Sequence, residues 1–330
     1  MDGMDGMSEQ HGTDDQHGTD AAAPGREQPF DPRAEIGDFL RSRRARLTPQ
    51  DVGLPDSGRA RRVPGLRREE LAQLAAVSVA YLTRLEQGRG QNVSAEVLEA
   101  LADALRLTEA EYEHLTDLAR CQYSRRPTPP RQERVRPALR GLMSSMEGMP
   151  AYVTGRRTGL LAWNPMAAAL FGDWDQLPAR ERNLARLVFL RPDYRRLFVD
   201  WEAKAADLVA ALRLDAGCHS GDPLLTSLVG ELSVRSDDFR RLWARHDVAE
   251  RNHGAQHLHH PLVGELALSF EALRLPDDSE QVLTVFHAQP GSSASESLRL
   301  LASWSADART PDAPAAEAPT TEASAQRRSG

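Results

Sequence analysis

Cysteine is nearly absent from this sequence. The two present, Cys121 and Cys218, lie far apart and in no ligand-like spacing, which argues against a disulfide framework and against a zinc site. There is no run of about 18 apolar residues, so no membrane-spanning helix is expected. The first residues carry neither a cationic stretch nor an apolar one, so they do not read as a secretory signal. The expectation is a soluble, cytoplasmic protein. Catalytic signatures are missing too: no G-x-S-x-G, no P-loop, no G-x-G-x-x-G after a strand, no H-E-x-x-H. Acids are plentiful but form no apolar pair. No enzyme activity and no cofactor are expected.

What is present is an uneven distribution of charge. The net charge is -7 over 330 residues, yet Met1–Asp31 is acidic with Arg26 as its one cation, whereas Arg33–Arg89 is rich in arginine, with "RSRRAR" and "RARR" inside it. An acidic tail beside a basic stretch points toward nucleic acid. The length suggests two domains. Residues 1–32 ("MDGMDG", "HGTDDQHGTD") and 305–330 have too few apolar groups to offset the entropy of ordering and read as disordered tails. Residues 33–121 read as a five-helix unit. Residues 122–137, almost all of them "SRRPTPPRQERVRP", read as a proline-rich linker. Residues 138–304 read as a mixed α and β domain.

Within the first unit, "LRREELAQLAAVSVAYLTRLEQGRG" (Leu66–Gly90) places two short helices almost end to end. Leu71, Leu74 and Ala75 form the inward face of the first, and Val77, Leu82 and Leu85 that of the second. Ser78 is positioned to cap the second helix, and the small residues of "AVS" allow a tight crossing. Such a crossing projects the second helix outward, where it can enter a major groove about 12 Å wide. Its outward face is Val79, Ala80, Thr83 and Arg84. Val79 and Ala80 suit thymine methyls, and Thr83 can donate or accept. Arg84 can pair with guanine or meet a phosphate. Arg68 and Arg89, flanking the pair, are expected on phosphates. Glu86 would repel DNA in the groove and is expected to pair with an arginine inside the domain. Ser94 reads as an N-cap, and Thr108 with Glu111 as a capping box.

In the second domain, "AYVTGRRTGLLAWNP" reads as a hairpin. Tyr194 to Leu212 carries a strong helical stripe, Asp222-Pro223 opens a further helix, and Leu266–Phe270 with Leu283–His287 alternate as a second hairpin. The aromatic residues Trp163, Phe189, Phe198, Trp201 and Trp243 either line an apolar ligand pocket or form ordinary core. Arg213 and His246, isolated in apolar runs, either meet the headgroup of an anionic ligand or make structural ion pairs. The tract "HGAQHLHH" (His253–His260) could bind metal, but no acid lies inside it; it is read as a polar loop, and no metal is expected.

Taken together, "REELAQLAAVSVAYLTRLEQGRG" followed by "SAEVLEALADAL" resembles the lambda-repressor-like, or Xre-type, helix-turn-helix family. The second domain resembles the MmyB-like ligand-binding domain through "AWNPMA", "NLARLVFL", "DWEAKAADLVAALR", "FRRLWARHDV", "HHPLVGELALSF" and "VFHAQPGS". The resemblance spans roughly residues 34–304. It implies an all-α five-helix lambda-repressor-like DNA-binding domain followed by an α+β PAS-like domain. It implies a bacterial transcription regulator, with a hydrophobic ligand such as a fatty-acyl molecule in the second domain. Expected partners are double-stranded DNA with a two-fold operator, a second copy of the chain, and a small, mostly apolar ligand, with no membrane. The alternative is a second domain that dimerises or docks a protein and holds no ligand.

Overall fold

The computed structural model describes residues 32–55, 65–90, 93–121, 133–219, 221–276 and 278–307. Both expected tails, except for their innermost residues, and most of the expected linker lie outside these residues. The N-terminal part is all helical: α1 (Pro32–Arg46), α2 (Arg68–Leu74), α3 (Val79–Glu86), α4 (Ala95–Leu105) and α5 (Glu109–Cys121). Its core gathers Ile36, Phe39 and Leu40 of α1, Leu71 of α2, Leu82 and Leu85 of α3, Leu101 of α4, and Leu115 and Leu118 of α5. These are the apolar positions of 3.6-residue periods facing one another. Ser94 accepts from the Val97 amide at 3.4 Å. The Thr108 amide donates to Glu111 at 2.9 Å, and the Glu111 amide donates back to the Thr108 hydroxyl at 3.4 Å. These side chains satisfy amides that a helix start leaves unpaired.

The C-terminal part is mixed. In chain order it has α6 (Pro137–Ser144), β1 (Ala151–Thr154), β2 (Leu160–Trp163), α7 (Pro165–Phe171), α8 (Leu184–Leu190) and α9 (Pro192–Leu197). Then come α10 (Trp201–Cys218), α11 (Pro223–Arg235), α12 (Asp237–Trp243), β3 (His253–His260), β4 (Gly264–Leu275), β5 (Asp278–His287) and α13 (Ser293–Asp307). The strands form one open antiparallel sheet in the order β2-β1-β5-β4-β3. The first hairpin is thus inserted beside the last strand, and the helices between the hairpins cover the sheet. Buried Asn164 joins these layers: it accepts from the Ala167 amide at 2.9 Å to cap α7 and from the Ala151 amide at 3.0 Å in β1.

Two elements differ from the sequence reading. The stripe from Tyr194 to Leu212 is not one helix. The chain leaves α9 at Phe198, which bridges Leu258 of β3, and Asp200 restarts it by accepting from the Ala203 amide at 3.1 Å. The apolar residues keep facing the core across the break, so the period hides it. The "HGAQHLHH" tract is not a loop but β3. Gln256, Leu258 and His260 point inward while His253, His257 and His259 are exposed. Two of the inward residues are polar, which masks the alternation. His260 meets its burial by bonding the Ala169 carbonyl at 3.1 Å.

Candidate functional site

Two surfaces carry the chemistry. The first is α3. The Ser78 hydroxyl accepts from the Tyr81 amide at 3.1 Å and starts the helix. Val79, at 41% exposure, lies beside Ala80 on the solvent side, with Arg84 and Arg89 also exposed. The Thr83 hydroxyl donates to the Val79 carbonyl at 2.8 Å, which leaves its oxygen as an acceptor. Glu86 is buried at the end of α3 and is held from two sides. Arg44 of α1 approaches one carboxylate oxygen at 2.9 Å and Arg68 of α2 the other at 2.8 Å. Glu86 is therefore structural, as its sign suggested, and Arg68 spends two of its donors on it. Gly37 completes this junction: a Cβ there would collide with the Glu86 carbonyl, so only glycine lets α1 lie so close to α3.

The second is a cavity of about 460 Å³ between the sheet and α10. Tyr152, Leu208, Phe270 and Phe286 give it apolar walls. Along α10 and its C-cap His219, the lining positions Lys204, Asp207, Leu208, Ala211, Asp215 and His219 recur at helical spacing. One end is charged. The β1–β2 turn places Arg156 and Arg157 there, with Arg157 (φ 56) and Thr158 (φ 59) both left-handed. That conformation is costly outside glycine and needs support. Asn183 supplies it, donating to the Arg157 carbonyl at 2.6 Å while accepting from the Arg186 amide at 3.0 Å to cap α8.

The charges at this end neutralise one another. Arg156 and Arg157 reach Asp222 at 2.9 and 2.6 Å. His219 bridges Asp215 and Glu280, each at 2.7 Å. Burial works against the charged form of Asp222, but the bond and charge of Arg157 outweigh it and hold its pKa below the ordinary value. The hydrogen bond to Asp215 raises the pKa of His219. Burial raises that of nearby Glu133.

Residues 135–301 match the family described as MmyB-like transcription regulator ligand binding domain, half of the chain, and residues 35–115 match a helix-turn-helix domain. The chain belongs to the MmyB-like transcription regulators. No curated protein matches it. Both matched domains are regulatory. No helix among the described residues is long and apolar enough to cross a membrane.

The residues suggested by sequence as ligand contacts in this MmyB-like domain do not line the cavity. Trp163 packs edge-on against Trp174 at 5.4 Å, with Arg182 over its ring. Phe189 packs edge-on against Trp201 and Phe239. Phe198 is buried at the α9–α10 break. The Trp201 indole donates to the Val188 carbonyl at 3.0 Å. Trp243 stacks on Phe239. Arg213 and His246 come together elsewhere, at the junction of the two domains. Arg213, fully buried, pairs with Glu35 of α1, and its guanidinium lies 4.1 Å from the Trp243 ring centre. His246 Nδ1 lies 3.0 Å from both Glu35 and Arg213.

Sequence reasoning missed the cavity's own residues. In the sequence "GRRT" reads only as a turn, because its pairing with Asp215 and Asp222 spans 58 to 66 residues, a separation that no local spacing encodes. A compositional signal was available for one of them: among 41 lysines and arginines, Lys204 is the single lysine.

Proposed function

We propose that this protein is a sequence-specific, dimeric DNA-binding regulator whose second domain senses a small, mostly apolar molecule of fatty-acyl type. In this reading residues 33–121 form a lambda-repressor-like domain and residues 138–304 a PAS-like sensor. Ser78, Val79, Ala80, Thr83, Arg84 and Arg89 face the operator, and Arg68 meets phosphate with the donor that Glu86 leaves free. The ligand occupies the cavity between α10 and the sheet. The position of α10 is the observation that carries the reading. Its cavity face holds Lys204, Leu208 and Asp215, and its other face holds Arg213 and Gly217 against the DNA-binding domain. Glu35, the partner of Arg213, is two residues from Gly37, where α1 touches α3. A ligand that binds one position of α10 better than another shifts the equilibrium of the DNA-binding domains. An open cavity of this size favours a sensor over a filled dimerisation or docking module.

The test uses the full chain. Duplexes are selected from a random pool, and affinity is measured by fluorescence anisotropy with and without decanoate. Arg84→Ala is expected to weaken binding by about 1–3 kcal/mol and relax base preference at one position. Decanoate is expected to change the affinity of the unaltered chain. Full affinity and selectivity in Arg84→Ala would refute the base-reading assignment, and indifference to every apolar ligand tried would refute the sensor.

A further inference from the structure

The cations around the cavity are almost all matched. Arg156 and Arg157 are matched by Asp222, Arg251 by Asp207 at 2.8 Å, and Arg274 by Glu250. Lys204 is the exception. Among the described residues its amine enters no ion pair and no hydrogen bond, and the contact it does make is with the Phe198 ring, 5.8 Å away. It lies one turn into α10 on the face that lines the cavity. It is also the chain's one lysine. A site that needed only a fixed positive charge would be served by the guanidinium used everywhere else in this chain. A guanidinium keeps its proton and is a poor nucleophile. An amine in a desolvated wall gives up its proton and attacks carbonyl carbon. Burial lowers the Lys204 pKa; Asp207 opposes that shift and Arg251 adds to it.

We propose that Lys204 is a covalent anchor, and that the cavity takes an aldehyde or ketone with an apolar body and holds it as an imine. The amine lone pair adds to the carbonyl carbon, and the carbonyl π electrons move to oxygen, which takes up a proton. The carbinolamine then loses that oxygen as water, with both amine hydrogens leaving in it, and a C=N bond remains. No oxidant or reductant is needed, and hydrolysis releases the ligand. From Lys204 the apolar body runs along Leu208 and Ala211, facing Phe270 and Phe286. Eleven residues of helix separate Lys204 from the paired cluster at Asp215, a span of about 16 Å. The cavity is thus long and apolar in its middle, with Lys204 at one end and neutralised charge at the other.

This inference rests on the reading of the cavity as a ligand site, and the experiment separates the two. The full chain is incubated at neutral pH with decanal and borohydride, and the reduced adduct is located by peptide mass mapping. In parallel, decanal, decanol and decanoate each compete with an environment-sensitive dye. The α-amine is the internal reference. An ordinary lysine, with pKa about 10.4, holds far less free amine at neutral pH than an α-amine of about 7.7–8.0. Trapping at Lys204 ahead of the α-amine reverses the ordinary order and is the expected result. Lys204→Arg, which keeps the charge, is expected to abolish that adduct and weaken decanal competition by about tenfold, about 1.4 kcal/mol, while decanol is unaffected. Dye competition with an adduct only at the α-amine, or unchanged decanal binding in Lys204→Arg, would overturn the imine and leave the cavity reading standing. Failure of all three compounds to displace the dye, with no adduct at Lys204, would overturn both.

Discussion

Ala76 sits in the turn between α2 and α3 with φ at 52°. A Cβ in the left-handed region crowds the backbone by about 1–2 kcal/mol, and glycine escapes that cost at the expense of extra freedom in the unfolded chain. Ala76→Gly is therefore expected to stabilise the helical domain by about 0.5–1 kcal/mol. The readout is a higher urea midpoint at unchanged slope; a lower midpoint would mean that the turn prefers alanine for reasons beyond its φ. The sequence made the tightness of this turn legible through its small residues, but not its backbone sign, because no glycine marks it. Glu86 shows the same division. An acid on a helix proposed to read DNA announced a structural role, and Arg44 and Arg68 pair with it. Which arginines would do so was hidden, since Arg44 lies far away in sequence and many arginines were available.

Helix α10 has two working faces, and Gly217 lies on the one turned to the DNA-binding domain. A Cβ at Gly217 would lie 2.6 Å from the ring of His114, which is fully buried on α5. The ring packs edge-on against Phe39 and is shut off from solvent. Gly217→Val is expected to cost about 1–3 kcal/mol, in the range of overpacked cores, and to loosen the docking of α5 on α10. Hydrogen exchange should then rise in α1 and α5 while dye binding in the cavity persists; unchanged protection would show that the two helices do not hold the domains together. The apolar side of α10 was legible as a stripe. Its break at Asp200 was not, because a helical period continues through a short kink when both pieces face one core. Nor was the role of Lys204, Asp207 and Asp215, since polar residues facing a cavity follow the same pattern as polar residues facing bulk water.

The domain junction also gives the whole molecule a defined response to acid. Among the described residues neither ring nitrogen of His114 finds a hydrogen-bond partner, and burial pushes its pKa down to about 3. His246, next to Arg213 and Glu35, is pushed down to about 4, by burial first and then by Arg213. Both are neutral in the folded protein at neutral pH. In the unfolded chain a histidine titrates near 6.5, so below that pH the unfolded state binds protons that the folded state refuses. Their contribution is complete above about 6.5 and is lost as pH falls toward the folded values, at up to about 1.4 kcal/mol per pH unit for each histidine. His219 has the opposite sign: its raised pKa adds stability at low pH that disappears as pH rises through that value. Urea unfolding of the full chain between pH 7.5 and 4.5 is therefore expected to show stability falling from pH 6.5 downward, with His114→Leu giving a shallower fall. A flat profile from 6.5 to 5 would show that the two histidines reach water in the folded state. Because both sit where α1 and α5 meet the C-terminal domain, acid acts on the contact through which the proposed function couples the cavity to α3. DNA affinity with and without decanoate should converge over the same pH interval in which the histidines begin to charge.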